Sequence, residues 1–592
     1  MSPPTEPEVA ANGVERWRRV AWSLFLTGLV ALVLSSTSYR REGRVPMADE
    51  ATVLMQAASL AWDFDLRYDR GDHDRELFRW LGQPERLELT WGPGESPRIG
   101  FDPPALGALA LAPFLRLWPR HGFALANALA LALALFVVAT HLARRTAGPT
   151  VGWRPVLMPL VLLSALALSP VIVAVFRGRL EVLALASLMV ATTWVVAAPA
   201  RRTPRALLGA GLLSVPAVLV SGPLVVVVIW LAWWLFTSNP RGRRRELLLF
   251  GVGLALGALV EIGLETTLGA GATVEGRGSY TPSTGFPTID FETAAEDLRR
   301  AALEPAARPT WKQFSVWTLA DLLVARSIGI LVLFPAVLAV LVAALVARRW
   351  SLPLLLLGWA LLTGLSRPFD LGGGGVAGGA AFLPTYGALV VLAIAGAPGI
   401  APWDWAPGRR RRVAGLVALL IGVWGAFVAA PIWRQPWRIP DLGPSAHLAP
   451  ATAWLPVATT QRPQGSRLGS LGGLEVLVVG EGAWIESRAD LLQVEEPVEL
   501  WVLSAEPLDA IALEALDRGP APRIEGASLA EAGSEVVGWR VDLPRGRHHS
   551  VAWTEGPRWV YRCTLDPAEA SGAPRAFRLH RMDRTAATVG SG

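Results

Sequence analysis

The chain has 592 residues, 52% of them hydrophobic and 18% charged, with a mean hydropathy of +0.39. Soluble domains run nearer to about 25% charged, so the balance excludes disorder and a collagen-like chain. The single Cys563 excludes a disulfide scaffold and a Cys-based zinc site. The net charge of +6 is carried almost wholly by Arg, in short clusters between apolar runs. That is a membrane-topology pattern and not a nucleic-acid-binding stripe.

A membrane span needs about 20 apolar residues to cross ~30 Å of hydrocarbon. Runs of this kind begin at 20–38 and continue at 122–142, 155–176, 180–198, 206–219, 220–236, 247–264, 328–347, 352–365, 382–398 and 413–431. They predict a membrane all-α bundle of about eleven spans over 20–431, behind a cytoplasmic N-terminus of 1–19. Arg16, Arg18 and Arg19 precede the first run. Arg144–Arg145, Arg201–Arg202, Arg241–Arg245, Arg348–Arg349 and Arg409–Arg412 then fall where inside loops should fall. The alternation places 39–121 and everything after about 432 outside. A cleaved signal peptide is the competing reading of 20–38, but the run is long for one and no A-x-A site follows it.

The first outer loop, 39–121, carries 13 acidic and 11 basic residues and is too long for an ordinary connection. Asp49 and Glu50 stand directly before a run in which Val53, Leu54, Ala57, Leu60 and Ala61 share a helical face. Acidic residues continue through Asp63, Asp65, Asp69, Asp72 and Asp74. Phe101-Asp102-Pro103-Pro104 then leads into Ala105–Leu117, which reads as an interfacial helix because a span there would invert every later basic cluster. In the tail, alternating runs such as 475–479, 498–503, 536–541 and 559–561 are separated by Gly, Pro and Asp turns. They predict a β-sandwich at 456–592 behind a connector at 432–455.

An acidic pair after the first span, a helix ending in Asp63-Phe64-Asp65-Leu66, and a Pro-Pro step into an apolar run together resemble the GT-C superfamily. These are integral-membrane glycosyltransferases that use polyprenyl-phosphate sugars, such as the bacterial mannosyl and aminoarabinose transferases. Ala325-Arg326-Ser327-Ile328-Gly329 with Phe334-Pro335, and Gly372–Gly379 followed by Phe382-Leu383-Pro384 and Tyr386, resemble further segments of one bacterial branch. Where that branch reads G-N-R-Y-F, this chain has Gly379-Ala380-Ala381-Phe382. The resemblance implies a GT-C-like bundle with an outer β-domain, placed in a bacterial inner membrane with its C-terminal domain in the periplasm. It implies inverting transfer of a sugar from a lipid-linked donor to an envelope glycan, lipid or protein acceptor.

The resemblance puts the catalytic carboxylate at Asp49, with Glu50 beside it. A base must accept the proton of the acceptor hydroxyl as the new bond forms. Asp49 would also cap the helix that follows it. Arg177, Arg179 and Arg326 lie on the outer side, against the positive-inside rule, where a guanidinium can bind the departing lipid phosphate. Glu261 and Glu265, one helical turn apart, read as a boundary pair reaching water. Asp63 and Asp65 could take a divalent cation, although such segments are more often solvated, so no metal or other cofactor is expected beyond the donor itself. Two further classes compete: a non-catalytic relative whose β-domain binds glycan, and a lipid or polysaccharide transporter.

Overall fold

In the computed structural model the chain divides into two compact units. One comprises Met1–Arg308, Ser327–Ser366 and Gly372–Ile439, and the other Pro309–Arg326, Arg367–Leu371 and Pro440–Gly592. The structure describes residues 48–74, 87–91, 98–119, 122–146, 162, 164–167, 169–176, 179–269, 276–280, 316–324, 329–346, 350–366, 380–393, 419, 422–427, 466–479, 483–486, 490–495, 497–516, 521–525, 527–531, 538–543, 546–550, 557–567 and 575–582.

The first unit begins with α1 (Ala48–Trp62), a short turn α2 (Arg70–Asp74), and strands β1 (Leu87–Trp91) and β2 (Ile99–Phe101). Then come α3 (Ala105–Leu117), α4 (Gly122–Thr146), α5 (Val171–Phe176), α6 (Leu180–Val196), α7 (Pro204–Val220), α8 (Val225–Ser238) and α9 (Arg243–Leu268). Strand β3 (Gly276–Tyr280) follows α9 and pairs antiparallel with β1, so a three-stranded sheet of order β2-β1-β3 joins the first loop to the segment after α9. Sequence reading missed this sheet because its strands are only three to five residues long and one comes from far along the chain.

The expected GT-C-like bundle of about eleven spans is overturned. Among the described residues, two helices are long and apolar enough to cross a membrane, Gly122–His141 within α4 and Arg243–Leu268. The other apolar runs there form helices of 10–17 residues or less. Breakers explain the difference. Pro204 opens α7 behind Thr203, whose hydroxyl accepts from Ala206 N at 3.2 Å. Ser221-Gly222-Pro223 ends that helix. The run at 328–347 is divided at Phe334 between Ile330–Leu333 and Pro335–Val346. Helix α6 is buried nearly all round, and such a helix is apolar because protein covers it. The run at 20–38, most of that at 413–431 and part of that at 155–176 lie outside the described residues.

Helix α9 touches the rest of its unit along one stripe: Glu246, Phe250, Gly253, Gly257 and Glu261. Its other faces expose Leu248, Val252, Leu256, Leu259, Val260 and Ile262. The stripe packs on α7 at backbone distance. A Cβ on Gly253 would lie 2.1 Å from Leu208 O, and one on Gly211 would lie 2.1 Å from Phe250 O. Glycines at such crossings let helix backbones approach closely, as in the G-x-x-x-G contacts of lipid-embedded helices.

In the second unit the described strands form two antiparallel six-stranded sheets. The first takes β4 (Ser466–Leu471), β5 (Leu474–Val479), β8 (Val498–Ser504), β10 (Arg523–Glu525), β13 (Arg547–Ser550) and β14 (Pro557–Asp566). The second takes β6 (Ala483–Glu486), β7 (Leu491–Val494), β9 (Ala510–Ala515), β11 (Ser528–Glu531), β12 (Trp539–Asp542) and β15 (Arg575–Arg581). Alternate residues from both sheets share one core: Val476, Val478, Leu500, Val502 and Tyr561 from the first, with Leu492, Ile511, Leu513, Phe577 and Leu579 from the second. The Tyr561 hydroxyl accepts from Leu508 N at 2.5 Å, which satisfies a phenol inside that core.

Candidate functional site

Helix α1 is the centre of the loop module and is buried from Ala51 to Ala61. Val53, Leu54, Ala57, Leu60 and Ala61 pack against Ala105, Ala108, Leu111 and Leu115 of α3. Ala51, Met55 and Ala58 pack against Leu87, Leu89, Trp91, Ile99 and Phe101 of the small sheet. Between these faces runs a polar stripe of Thr52, Gln56 and Ser59, each fully buried and each bonded to a different segment. Thr52 Oγ1 accepts from Glu88 N at 2.8 Å, and Gln56 Nε2 donates to Pro103 O at 2.7 Å. Ser59 Oγ lies 2.8 Å from Asp65 Oδ1 and 3.2 Å from Arg67 O.

The α1 helix starts at Ala48, so Asp49 and Glu50 fall inside its first turn, not ahead of it as capping requires. In helical register, position 49 continues the stripe of 52, 56 and 59. Position 56 is seven residues further on, about 10 Å along the axis. Arg179 is buried at 3% exposure in the residue preceding α6, with extended backbone. Its carbonyl accepts from Asn127 Nδ2 at 3.2 Å. Arg177 and Arg326 lie outside the described residues, as do Gly372–Gly379.

The Pro103-Pro104 step connects these parts. Pro103 O is held by Gln56, and α3 begins at Ala105. Two residues into α3, Gly107 lies against Leu180, where a Cβ would come within 2.5 Å of Leu180 Cδ2. Arg179 and α1 are thereby tied to the same end of α3. The orphan N–H groups of that end are met by Glu261, whose Oε1 accepts from Ala105 N at 2.8 Å and whose Oε2 accepts from Leu106 N at 2.9 Å. Glu261 is 7% exposed, so the reading of it as a water-facing boundary residue is corrected. The signal for it was available: a carboxylate within an apolar helix needs an internal partner.

From this point an apolar groove of about 290 Å³ runs between α3, α4, α6 and α7. Pro104, Leu106, Gly107, Leu180 and Leu183 form its end at the two helix N-termini, and Leu133, Val137 and Val190 line its length.

Below the stripe, the acidic run folds on itself. Asp72 is 1% exposed; its backbone N–H donates to Asp69 Oδ1 at 3.0 Å, and its Oδ2 accepts from Asp69 N at 3.4 Å. Burial, then the nearby Asp69 and Asp65 charges, push the Asp72 carboxyl up to about 8. Beside it the Tyr68 hydroxyl and His73 Nδ1 are 3.0 Å apart. In the sequence Asp72 is one more member of the acidic run, and only the burial of the turn sets it apart. Among the described residues no three His, Cys, Asp or Glu side chains are grouped to hold a metal ion.

No protein-family model matches the chain, and neither does any curated protein.

Proposed function

We propose that the chain is a membrane protein that transfers a sugar from a polyprenyl-phosphate donor to an acceptor at the outer face of the bacterial inner membrane. The observation that carries this reading is the groove, whose apolar walls begin where α3 and α6 both start. It suits an isoprenoid tail, and a phosphate at its mouth would meet the N-terminus of α6 and Arg179. The exposed apolar faces of α9, α8 (Ile229, Trp233, Phe236) and the helix Ser351–Ser366 (Leu354, Leu357) support a lipid setting, since water disfavours so much apolar surface. In this reading Asp49 takes the proton of the acceptor hydroxyl while its oxygen bonds to the anomeric carbon. The phosphate oxygen of the donor leaves with the electron pair.

The test is transfer of labelled sugar from purified polyprenyl-phosphate donors of long and short chain. Ala110 lines the groove and is exposed, so Ala110→Trp fills it without touching the core. KM for the long-chain donor should rise while the short-chain donor is used as before. Asp49→Asn should lower turnover by ~10² or more with both. Full transfer by Asp49→Asn, or no difference between donors in Ala110→Trp, would exclude the proposed base or the proposed tail site.

A further inference from the structure

The turn that ends α1 holds Phe64 at φ 63°, a left-handed conformation that helix-ending turns usually give to Gly or Asn. For a bulky side chain such backbone is strained. The ring recovers little inside the protein, since it is 71% exposed, with the Arg116 guanidinium 5.9 Å from its centroid. Arg116 is itself fixed, with Nη1 donating to Ala61 O at 2.5 Å.

On α3 the outward face continues the same surface. Leu109, Pro113 and Leu117 follow at i, i+4 and i+8, with Leu117 82% exposed. Their inward neighbours Ala108, Leu111, Ala112 and Leu115 are fully covered, so this helix is apolar on both sides. The sequence adds Trp118, Arg120 and His121 directly after it, and no acidic residue occurs between Asp102 and Glu181. Among the groups near Phe64, Asp65 is engaged by Ser59 and by Arg67 N, and Asp63 is exposed. Apolar anchors beside Arg, with few opposing carboxylates, suit the boundary between anionic headgroups and acyl chains. The surface also runs into lipid-suited protein: Ala110 shares the groove with Leu133 of α4, and Leu133 is half-exposed on a helix long enough to span.

We infer that Phe64, Leu109 and Leu117 form an apolar hook that seats the loop module in the headgroup–acyl boundary of one bilayer leaflet, with Arg116 at phosphate level. This rests on the reading of α9 as a lipid-facing span. The hook fixes the height of α3, and with it the groove mouth and the α1 stripe, relative to the membrane surface.

The experiment uses the full chain in phosphatidylglycerol–phosphatidylethanolamine vesicles, with the buried Cys563 replaced by Ala. Nitroxide labels are placed singly by Phe64→Cys, Leu117→Cys, Arg70→Cys on the exposed turn of α2, and Leu256→Cys on the bare face of α9. Collision with oxygen should exceed collision with a water-soluble nickel chelate several-fold at 64 and 117, as at 256, and the reverse should hold at 70. Labels at 64 and 117 as open to the chelate as that at 70, with 256 still in lipid, would overturn the hook alone. A label at 256 open to the chelate would overturn the lipid reading and the hook together. Shielding of 64 and 117 from both reagents would mean that protein covers the surface, and the inference would fall.

Discussion

Glu246 and Glu261 stand at opposite ends of one buried stripe on α9, about 22 Å apart along the helix, and each binds a different part of the unit. Glu246 pairs with Arg202 at 2.6 Å and accepts from Asn239 Nδ2 at 2.7 Å, while Arg202 also donates to Ser238 Oγ and Ala197 O. Glu261 holds the start of α3. Between them, Gly253 and Gly257 bring α9 against α7. A helix with so little buried surface is therefore registered by its two carboxylates, and the α3 end of the groove depends on that register.

Replacement of Glu261 should be costly in a graded way. Gln keeps one acceptor oxygen and turns an amide toward the second N–H, leaving one buried donor without a partner at about 1–3 kcal/mol. Ala leaves both unmet and opens a void, so its loss should be larger. Leu259→Ala, on the exposed face of the same helix, should change stability little. Thermal unfolding of the three variants in lipid nanodiscs checks the order; equal melting of Glu261→Ala and the parent chain would refute the capping role.

This pinning marks how far the sequence could be read. The run at 247–264 lies within α9, and the alternating runs at 475–479 and 498–503 lie within β5 and β8, because in each case a long or regular pattern reports directly on burial. The eleven spans failed for a physical reason. Apolar composition alone does not separate a helix covered by lipid from one covered by protein, and Leu180–Val196 is the second kind. The Asp49 turn was visible as an acidic pair before a helical run. The Glu261–Ala105 contact was not, since it joins residues 156 apart through the fold. Asp72 was hidden for the same reason: its burial depends on a turn whose neighbours come from α1 and the small sheet.

Asp72 makes the loop module sensitive to pH. An unfolded Asp titrates near 3.9, whereas the folded carboxyl titrates at about 8. Between those values the folded state holds a proton that the unfolded state has lost. Stability therefore falls as pH rises from about 4 to about 8, and no further loss follows once both states are ionised. Hydrogen exchange at residues 66–74, corrected for the intrinsic rate, should show protection declining from pH 5 to pH 8. Asp72→Asn should flatten that decline. A parent chain with constant protection over the range would mean that the carboxyl is ionised in the fold.

The second unit offers a sharper contrast at neighbouring glycines. Gly472 and Gly473 link β4 to β5 with φ of 54° and 76°, the two positive values that a tight two-residue hairpin requires. Both therefore resist a side chain on backbone grounds, by about 1 kcal/mol each. Their surroundings differ. A Cβ on Gly473 meets nothing within 4 Å, whereas one on Gly472 would lie 1.8 Å from Leu579 O of β15, in the facing sheet. Gly472 N also accepts no freedom to shift, since it donates to Asp490 Oδ1 at 2.8 Å. Gly473→Ala should cost about the conformational term alone. Gly472→Ala must in addition move β4 and β5 away from β15 or break the Asp490 bond, and should cost several kcal/mol, the range of disrupted cores. Denaturant unfolding followed at the buried Trp501 measures both. Similar losses in the two variants would show that the turn, and not its contact with β15, sets the cost.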